Sequence, residues 1–464
     1  MSSISTRSER EGQERENPLA SGSIWSLIGQ FAVPAIVSGL VNSLYNIVDQ
    51  IFIGQSVGQL GNAATNVSFP LVIILTAFSM MIGVGAASNF SLRLGEGQER
   101  KAAGFVGNSV LMTLAAGVLL MGTTLLFLEP MMVLFGARGE VLELAMQYTG
   151  ITALGMPFAM ITSALSQLIR ADASPRYAMV GTLFGAVLNM ILDPVFIFGF
   201  DMGIRGAALA TILGQIVSAV IILRYFRKFR SVPLTGEDFR PRAKVIRGIV
   251  SLGMAACLNQ LAVTVVQIVL NNALGHYGEL SAYGRDIPLA AVGVVSKVNS
   301  IFASVMFGIA QSCQPIMGYN YGTGNYARVR AAYRCAAILV VSIGSAAFVC
   351  FQLFPERIVS IFGNGDALYY EFAVRYFRVF LFFVFLNGIQ ILTSSFFSSI
   401  GQPVRGTVMS LSRQVFLFLP LVLLLPLLWG IDGVLYAGPI ADGCAAVVAA
   451  VFYFREVRRM ERKA

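Results

Sequence analysis

The sequence predicts an all-α membrane protein with twelve transmembrane helices in two six-helix lobes, related by a pseudo-two-fold axis along the membrane normal. The first observation is the composition, which is 56% hydrophobic and only 12% charged, whereas about a quarter of the residues of a soluble domain are charged. The second is a series of apolar runs, each long enough for the roughly 20 residues that a membrane helix needs. The third is a repeat that relates the two halves of the chain.

The predicted spans fall into two sets of six, separated by a basic and polar segment that contains Pro233 and Pro241. The first set covers residues 24–52, 64–92, 102–128, 140–169, 177–200 and 204–226. The second set covers 245–274, 289–317, 328–354, 369–399, 404–429 and 432–456. The predicted divisions are a disordered cytoplasmic tail 1–22, an N-lobe 23–228, a cytoplasmic linker 229–243, a C-lobe 244–457 and a cytoplasmic tail 458–464.

Short segments of the first half recur in the second half at a nearly constant spacing. The segment 95–97 (GEG) matches 322–324 (GTG), and 203–206 (GIRG) matches 430–433 (GIDG). Halves that each hold an even number of spans enter the membrane in the same direction, so the axis between them lies along the membrane normal. A cavity between two such halves is the expected path of a substrate.

The distribution of basic residues predicts the orientation. Most of the 33 lysines and arginines lie in the termini, the central linker and the connections on the same side of the membrane. The positive-inside rule assigns that side to the cytoplasm. Basic residues in these positions flank a membrane, so we expect contacts with membrane lipids and none with nucleic acid.

Asp193 lies within the apolar run 177–200 and is the strongest candidate for a functional residue. A charge in the hydrocarbon costs roughly 2.5–3.5 kcal/mol on insertion scales and therefore indicates a function. Asn189 lies one helical turn earlier on the same face, and Pro194 removes a backbone donor beside the aspartate. A structural role for Asp193 is the alternative.

The depth of other polar residues predicts the partners of Asp193. Asp49 lies near the outer end of the first span, and Thr211 lies about 12 Å into the sixth span at 1.5 Å per residue. Two carboxylates, one amide and one hydroxyl at a similar depth suit a proton or Na⁺, and no other metal is expected. The alternative for Asp49 is that it caps the first span at the membrane interface.

Further polar and aromatic residues are candidates for the substrate cavity or for structure. Asn42 and Tyr45 precede Asp49 on its helix face, and Lys297 and Phe383 are candidates for the cavity of the second half. Phenylalanines such as Phe383 face lipid in the alternative interpretation. Arg413 and Asp442 lie near the midplane in neighbouring spans, and we expect a structural ion pair between them because an unpaired charge there is unfavourable.

Several segments together resemble the multidrug and toxic compound extrusion (MATE) family, and in particular its bacterial MepA-like branch. Pro34 followed by Asp49, and the Asn189-x-x-x-Asp193-Pro194 motif, are similar to the family patterns. The segments 62–66 (NAATN), 136–140 (GARGE) and 170–175 (RADASP) add to the resemblance, which covers about residues 24–456. It implies that Asp49, Asn189, Asp193 and Thr211 form a cation or proton site and that the first span bends at Pro34.

These observations predict a secondary active multidrug exporter, not an enzyme. It would exchange organic compounds, cationic or amphipathic, for H⁺ or Na⁺ by alternating access, without a cofactor. We expect a monomer in the bacterial plasma membrane with both termini in the cytoplasm. A flippase for lipids or lipid-linked oligosaccharides is one alternative. A membrane-embedded enzyme that uses Asp49 and Asp193 as acid and base is the other.

Overall fold

The computed structural model describes residues 18–361 and 367–462, and eleven long apolar helices together with one bent helix pair organise this part of the chain. The N-terminal six are α1 (Ile24–Ser56), α2 (Gln59–Gly95), α3 (Glu99–Leu126), α4 (Gly139–Ala171), α5 (Pro175–Pro194) and α6 (Gly203–Tyr225). The C-terminal six are α7 (Ala243–Glu279), α8 (Asp286–Gly322), α9 (Tyr326–Leu353), α10 (Ala367–Phe380 and Val384–Ser399), α11 (Pro403–Leu411 and Leu419–Trp429) and α12 (Ile431–Glu461). The two parts of α10 are bent by 48° relative to each other, and counting them as one span gives twelve spans. The predicted all-α membrane fold is confirmed.

Two spans contain a π-helical turn. A π-helical turn, Val195–Gly199, continues α5 directly after Pro194, and a second π-turn, Ser412–Phe418, joins the two parts of α11. Such turns often mark functional sites, because the extra residue in the turn redirects side chains. The first π-turn follows Asp193, and the second contains Arg413.

Helix α1 packs against both halves of the molecule. We call the membrane face where α1 begins the inner face. Near that face, Leu27, Ile28 and Phe31 belong to the same buried cluster as Ile309 of α8, whereas Asp49 lies toward α5 near the outer end. A movement of α1 therefore affects contacts in both lobes.

Glycines allow the lobes to approach closely in their inner half. A Cβ atom on Gly253 of α7 would lie 1.8 Å from the carbonyl oxygen of Met81 in α2, and one on Gly95 would lie 2.1 Å from that of Tyr319. Two hydrogen bonds accompany these contacts, from Gln314 Nε2 to Ser88 Oγ at 2.6 Å and from Asn89 Nδ2 to the Gly248 carbonyl at 3.0 Å. We call this set of contacts the inner seal.

The prediction that residues 1–22 are disordered is wrong for residues 18–22. Residues 1–17 lie outside the described part. Pro18–Ser21 forms a helical turn, and Leu19 is 1% exposed. Arg328 Nη2 donates to the Gly22 carbonyl at 2.7 Å and to the Leu19 carbonyl at 3.3 Å. Burial of Leu19 and these hydrogen bonds order the segment, although its polar composition suggests a free chain.

The central linker is folded onto the inner face of the N-lobe. The Asp172 carboxylate accepts hydrogen bonds from the backbone amides of Arg230 and Ser231, both at 2.8 Å. Asn108 Oδ1 accepts from the Arg242 amide at 2.8 Å. The linker thus fixes the start of α7, which begins at Ala243.

At the C-terminal end, α12 continues to Glu461, beyond the predicted end of the C-lobe at residue 457, and residues 463–464 lie outside the described part.

Candidate ion and cargo site

Four predicted residues from three helices of the N-lobe meet at one place. Asp193 and Asn189 of α5 are 0% and 2% exposed, and Asp49 of α1 is 7% exposed. Asn189 Nδ2 donates to Asp193 Oδ1 at 3.2 Å and to Thr211 Oγ1 of α6 at 3.4 Å. The Asp49 and Asp193 carboxyls are close neighbours. The packing of α1, α5 and α6 therefore brings together all four residues of the predicted ion site.

The site contains buried oxygen atoms without a protein partner. Asp49 Oδ1, Asn189 Oδ1 and Asp193 Oδ2 are buried, and none has a hydrogen-bond partner among the described residues. Buried polar atoms are nearly always satisfied, and two neighbouring carboxylates repel each other in a medium of low dielectric constant. A proton between the carboxyls would relieve their repulsion, and a small cation bound to the three oxygens would also satisfy all three atoms.

Two tyrosines surround this site, and one of them is absent from the sequence-based prediction. The Tyr148 phenol of α4 lies against Thr211 and close to both carboxyls, and Tyr45 of α1 lies close to the same pair. Tyr148 lies about 13 Å from the outer end of α4 at 1.5 Å per residue. The depth argument that identified Thr211 would therefore have found Tyr148 as well.

A cavity of about 390 Å³ lies next to the ion site. The predicted residues Asn42, Tyr45, Asn189 and Thr211 line it, whereas the two carboxyls lie behind this wall. The remaining lining comes from both lobes and is largely neutral, with hydroxyl, amide and small side chains. C-lobe side chains of the wall include Gln260, Ser304, Phe307 and Gln311. The cavity is thus shared between the lobes, as expected for a substrate path.

Two predicted cavity residues lie outside this lining. Lys297 of α8 is exposed, two helical turns beyond Ser304 toward the outer end. Phe383 lies at the break between the two parts of α10, where its ring contacts Phe382 and Phe385 at centroid distances of 5.1 and 5.9 Å. The bend of α10 directs Phe383 into an aromatic cluster instead of the cavity.

The structure places Arg413 against Asp442, as the sequence suggests. Arg413 Nε donates to Asp442 Oδ1, and the side chains are 13% and 3% exposed. Both residues belong to the C-lobe, so the pair joins α11 to α12.

At Pro34, α1 continues without a break, and Ser38 Oγ donates to the Pro34 carbonyl at 2.8 Å. The bend at Pro34 stays a prediction.

Comparisons with known proteins agree with this arrangement. The chain is 27% identical over 435 residues to the Multidrug export protein MepA of Staphylococcus aureus (strain NCTC 8325 / PS 47), covering 93% of this chain and 94% of that protein. Its fold matches the solved structure titled "Outward-facing conformation of a multidrug resistance MATE family transporter of the MOP superfamily", with a TM-score of 0.89 at 23% identity. The match covers 96% of this chain and 98% of that one.

A second solved structure, "Crystal structure of MATE in the straight conformation", matches with a TM-score of 0.89 at 22% identity, over 96% of this chain and 98% of that one. The family model described as MatE matches residues 34–195 and 255–424, one segment in each lobe. The prediction of a transporter, not an enzyme, is confirmed. The chain therefore belongs to the MatE family of membrane transporters.

Proposed function

We propose that this protein is a secondary active exporter that exchanges amphipathic organic compounds for H⁺ or Na⁺ by alternating access. One observation carries the proposal: Asp49 and Asp193 form a buried acid pair, with unpartnered oxygens, directly behind the wall of a cavity between two lobes. An ion can reach such a site from the cavity. Its binding would change the charge beside any compound that the cavity holds.

The path of α1 suggests how ion binding acts on the lobes. Asp49 lies at the outer end of α1, and the inner end of the same helix packs in the C-lobe core through Phe31. Neutralising Asp49 alters its contacts with Asp193 and so favours a different position of α1. Coupling then requires that ion and cargo have different affinities for the two lobe arrangements.

The nature of the cargo is proposed from the relative and the cavity. The relative's name is Multidrug export protein. A volume of about 390 Å³, with Met80 and Phe307 among hydroxyl and amide groups, suits a small amphipathic molecule. We place the protein, as a monomer surrounded by lipid, in the plasma membrane of a bacterium, with the basic inner face toward the cytoplasm.

A flippase has weaker support. A large anionic lipid head group would favour a cavity wall that carries several cations, but one cation, Arg170, is found among the residues that line this cavity. The described chain also has no more than twelve spans. The acid pair has no role in a flippase that works without an ion gradient.

Transport measurements on reconstituted vesicles test the exporter function. Vesicles loaded with a panel of cationic, neutral and anionic dyes would be given a pH gradient or a Na⁺ gradient separately. We expect one of the two gradients to drive efflux of at least one dye, and an ionophore that collapses that gradient to stop it. Dye movement that is independent of both gradients would reject the proposal.

A further inference from the structure

The cavity wall carries a single charged side chain among the residues that line it. That side chain is Arg170, near the inner end of α4. The acid pair does not balance it across the cavity surface, because Asp49 and Asp193 are buried behind Asn189 and Thr211. A compound in the cavity therefore meets neutral polar groups and one guanidinium.

No carboxylate neutralises Arg170 in the described part of the chain. None of the ion pairs found there includes Arg170. The carboxylate nearest in sequence, Asp172, accepts hydrogen bonds from the Tyr225 hydroxyl and from the backbone amides of Arg230 and Ser231. Asp172 is therefore used to hold the linker and leaves the charge of Arg170 uncompensated.

The acceptors that Arg170 does have are two neutral amide oxygens. Arg170 Nη1 donates to Gln167 Oε1 at 3.1 Å and to Gln311 Oε1 at 3.2 Å. Gln311 Oε1 also accepts from Gln167 Nε2 at 2.7 Å. Gln167 and Arg170 belong to the N-lobe, whereas Gln311 belongs to α8 of the C-lobe. One acceptor of the guanidinium is thus supplied by the opposite lobe, next to the inner seal.

We propose that Arg170 is a binding group for cargo that carries a carboxylate or a similar oxyanion. This inference rests on the proposed export function and names a chemical class of cargo within it. The planar guanidinium can offer two parallel N–H groups to a carboxylate, which forms shorter and stronger hydrogen bonds than an amide oxygen does. An apolar or aromatic body attached to the carboxylate would occupy the rest of the cavity, against Met80 and Phe307.

The position of Gln311 makes this binding depend on the lobe arrangement. When the inner seal opens, Gln311 moves away with the C-lobe and Arg170 loses one acceptor. The carboxylate of a cargo molecule arriving from the inner side takes its place. When the seal closes, the Gln311 amide returns and competes for the guanidinium, which weakens cargo binding before release. The exchange supplies the difference in affinity that alternating access requires.

A matched pair of dyes tests the assignment at equilibrium. Rhodamine B has a free carboxylate, and its ethyl ester has the same ring system without that charge. Binding of both dyes to the purified protein would be measured by fluorescence anisotropy, for the wild type, Arg170→Gln and Arg170→Lys. We expect Arg170→Gln to weaken rhodamine B binding roughly tenfold to a hundredfold, as for loss of a hydrogen bond to a charged group. Ester binding should stay within about twofold, and Arg170→Lys should be intermediate.

Two further variants serve as controls. Arg176→Gln removes an exposed arginine near the same face that does not line the cavity, and it should leave both affinities unchanged. Gln311→Leu removes the competing amide and should strengthen binding of rhodamine B but not of the ester. Unchanged ester binding by Arg170→Gln also shows that this variant is folded. Equal weakening of both dyes, or no weakening of either, would overturn the proposal.

The source of the oxyanion is tested in lipid nanodiscs. Rhodamine B binding would be compared in phosphatidylcholine and in phosphatidylglycerol nanodiscs. Competition by phosphatidylglycerol in the wild type that disappears in Arg170→Gln would assign Arg170 to a lipid phosphate and overturn the assignment to cargo; equal binding in both lipids supports it. These measurements need no ion gradient. Failure of gradient-driven efflux would reject the export function without deciding the role of Arg170.

Discussion

Asn189 donates a hydrogen bond from Nδ2 to Oδ1 of Asp193 at 3.2 Å, across one turn of α5. This orientation uses the amide as the donor, and among the described residues neither Asn189 Oδ1 nor Asp193 Oδ2 has a hydrogen-bond partner. Asp49 Oδ1 is also buried and has no hydrogen-bond partner among the described residues. Asn189 thus positions the carboxyl of Asp193 while leaving oxygen atoms available to an ion.

The first prediction concerns Asp193. Replacement by Asn keeps the size and the contact with the neighbouring helices but removes the charge that an ion neutralises. We expect gradient-driven dye efflux by Asp193→Asn to fall to background, with a melting temperature close to that of the wild type. Efflux from vesicles and thermal unfolding in detergent measure the two quantities.

Asp201→Asn is the matched control for this change. Asp201 is exposed in the outer loop between α5 and α6, at φ 53°, a conformation that Asn also adopts readily. Its efflux should equal that of the wild type. Undiminished efflux by Asp193→Asn would show that the acid pair does not couple an ion to transport.

A second prediction concerns Tyr148, which lies against Thr211 near both carboxyls. One hydrogen bond from the phenol to the ion-bound site would contribute about 0.5–1.5 kcal/mol, so Tyr148→Phe should lower the apparent affinity for the coupling ion roughly twofold to tenfold. The maximal efflux rate at a saturating gradient should remain, because both carboxylates are still present. Efflux as a function of ion concentration provides the measurement. Tyr436→Phe, at an exposed tyrosine of α12, should leave that dependence unchanged, and an equal effect of the two variants would contradict a role for Tyr148 at the site.

Depth and spacing along the sequence predict the ion site because its residues project from regular helices. Asn189 and Asp193 share a face by their four-residue spacing, and Thr211 follows from its distance to the helix start. The distance of Tyr148 from the start of α4 places it at a similar depth, so the same argument applies to it. Arg170 does not, because it follows an apolar run and its position alone suggests a loop on the basic face. Only the packing of α4 against α8 shows that its side chain lines the cavity.

The inner seal also lies beyond what the sequence alone predicts. Glycines such as Gly253 occur throughout the predicted spans, and a glycine in a membrane helix indicates a close approach without identifying the partner. The partner depends on how whole helices dock. The same limitation applies to Lys297, whose charge suggests a position in the cavity although it lies two helical turns from Ser304 toward the outer end, outside the lining.

A third prediction tests the inner seal. Gly253→Ala places a Cβ atom where the Met81 carbonyl oxygen lies 1.8 Å away, and backbone atoms cannot yield as a flexible side chain can. The lobes should separate at the inner face, which would reduce efflux severalfold. Cys257, buried one turn after Gly253, should then react faster with a maleimide. Mass spectrometry of the labelled protein identifies the cysteine.

Gly122→Ala is the control for the seal, since apart from the adjoining backbone of α3 no atom of the described residues lies within 4 Å of an added Cβ at that position. It should change neither efflux nor the labelling of Cys257. Labelling of Cys257 in Gly253→Ala at the wild-type rate would show that α2 and α7 tolerate the methyl group and that the seal does not depend on their close approach.

A fourth prediction concerns the attachment of the start of α1 to the C-lobe. Arg328 donates to the carbonyl oxygens of Gly22 and Leu19 and, through Nε at 3.1 Å, to Asn320 Oδ1. Arg328→Ala leaves these acceptors without the guanidinium, at a cost of about 1–3 kcal/mol for groups left unsatisfied. We expect a lower melting temperature and faster proteolysis before residue 24. Arg334→Ala, at an exposed arginine of α9, should show neither effect, and a wild-type proteolysis rate in Arg328→Ala would contradict the attachment.

The last prediction separates the buried ion pair of the C-lobe from an exposed one. Asp442 is 3% exposed and Arg413 is 13% exposed, so removing only the Asp442 charge leaves a buried guanidinium without its partner. Asp442→Asn should therefore destabilise the protein by about 3–5 kcal/mol, whereas the double variant Asp442→Leu with Arg413→Met should recover most of the loss. Asp432→Asn breaks the Arg375–Asp432 pair, whose side chains are 41% and 34% exposed, and should cost about 0–1 kcal/mol. Thermal unfolding measures all three variants. A double variant as stable as the wild type that retains gradient-driven efflux would establish a structural role, whereas a stable double variant that has lost efflux would show that the pair takes part in transport.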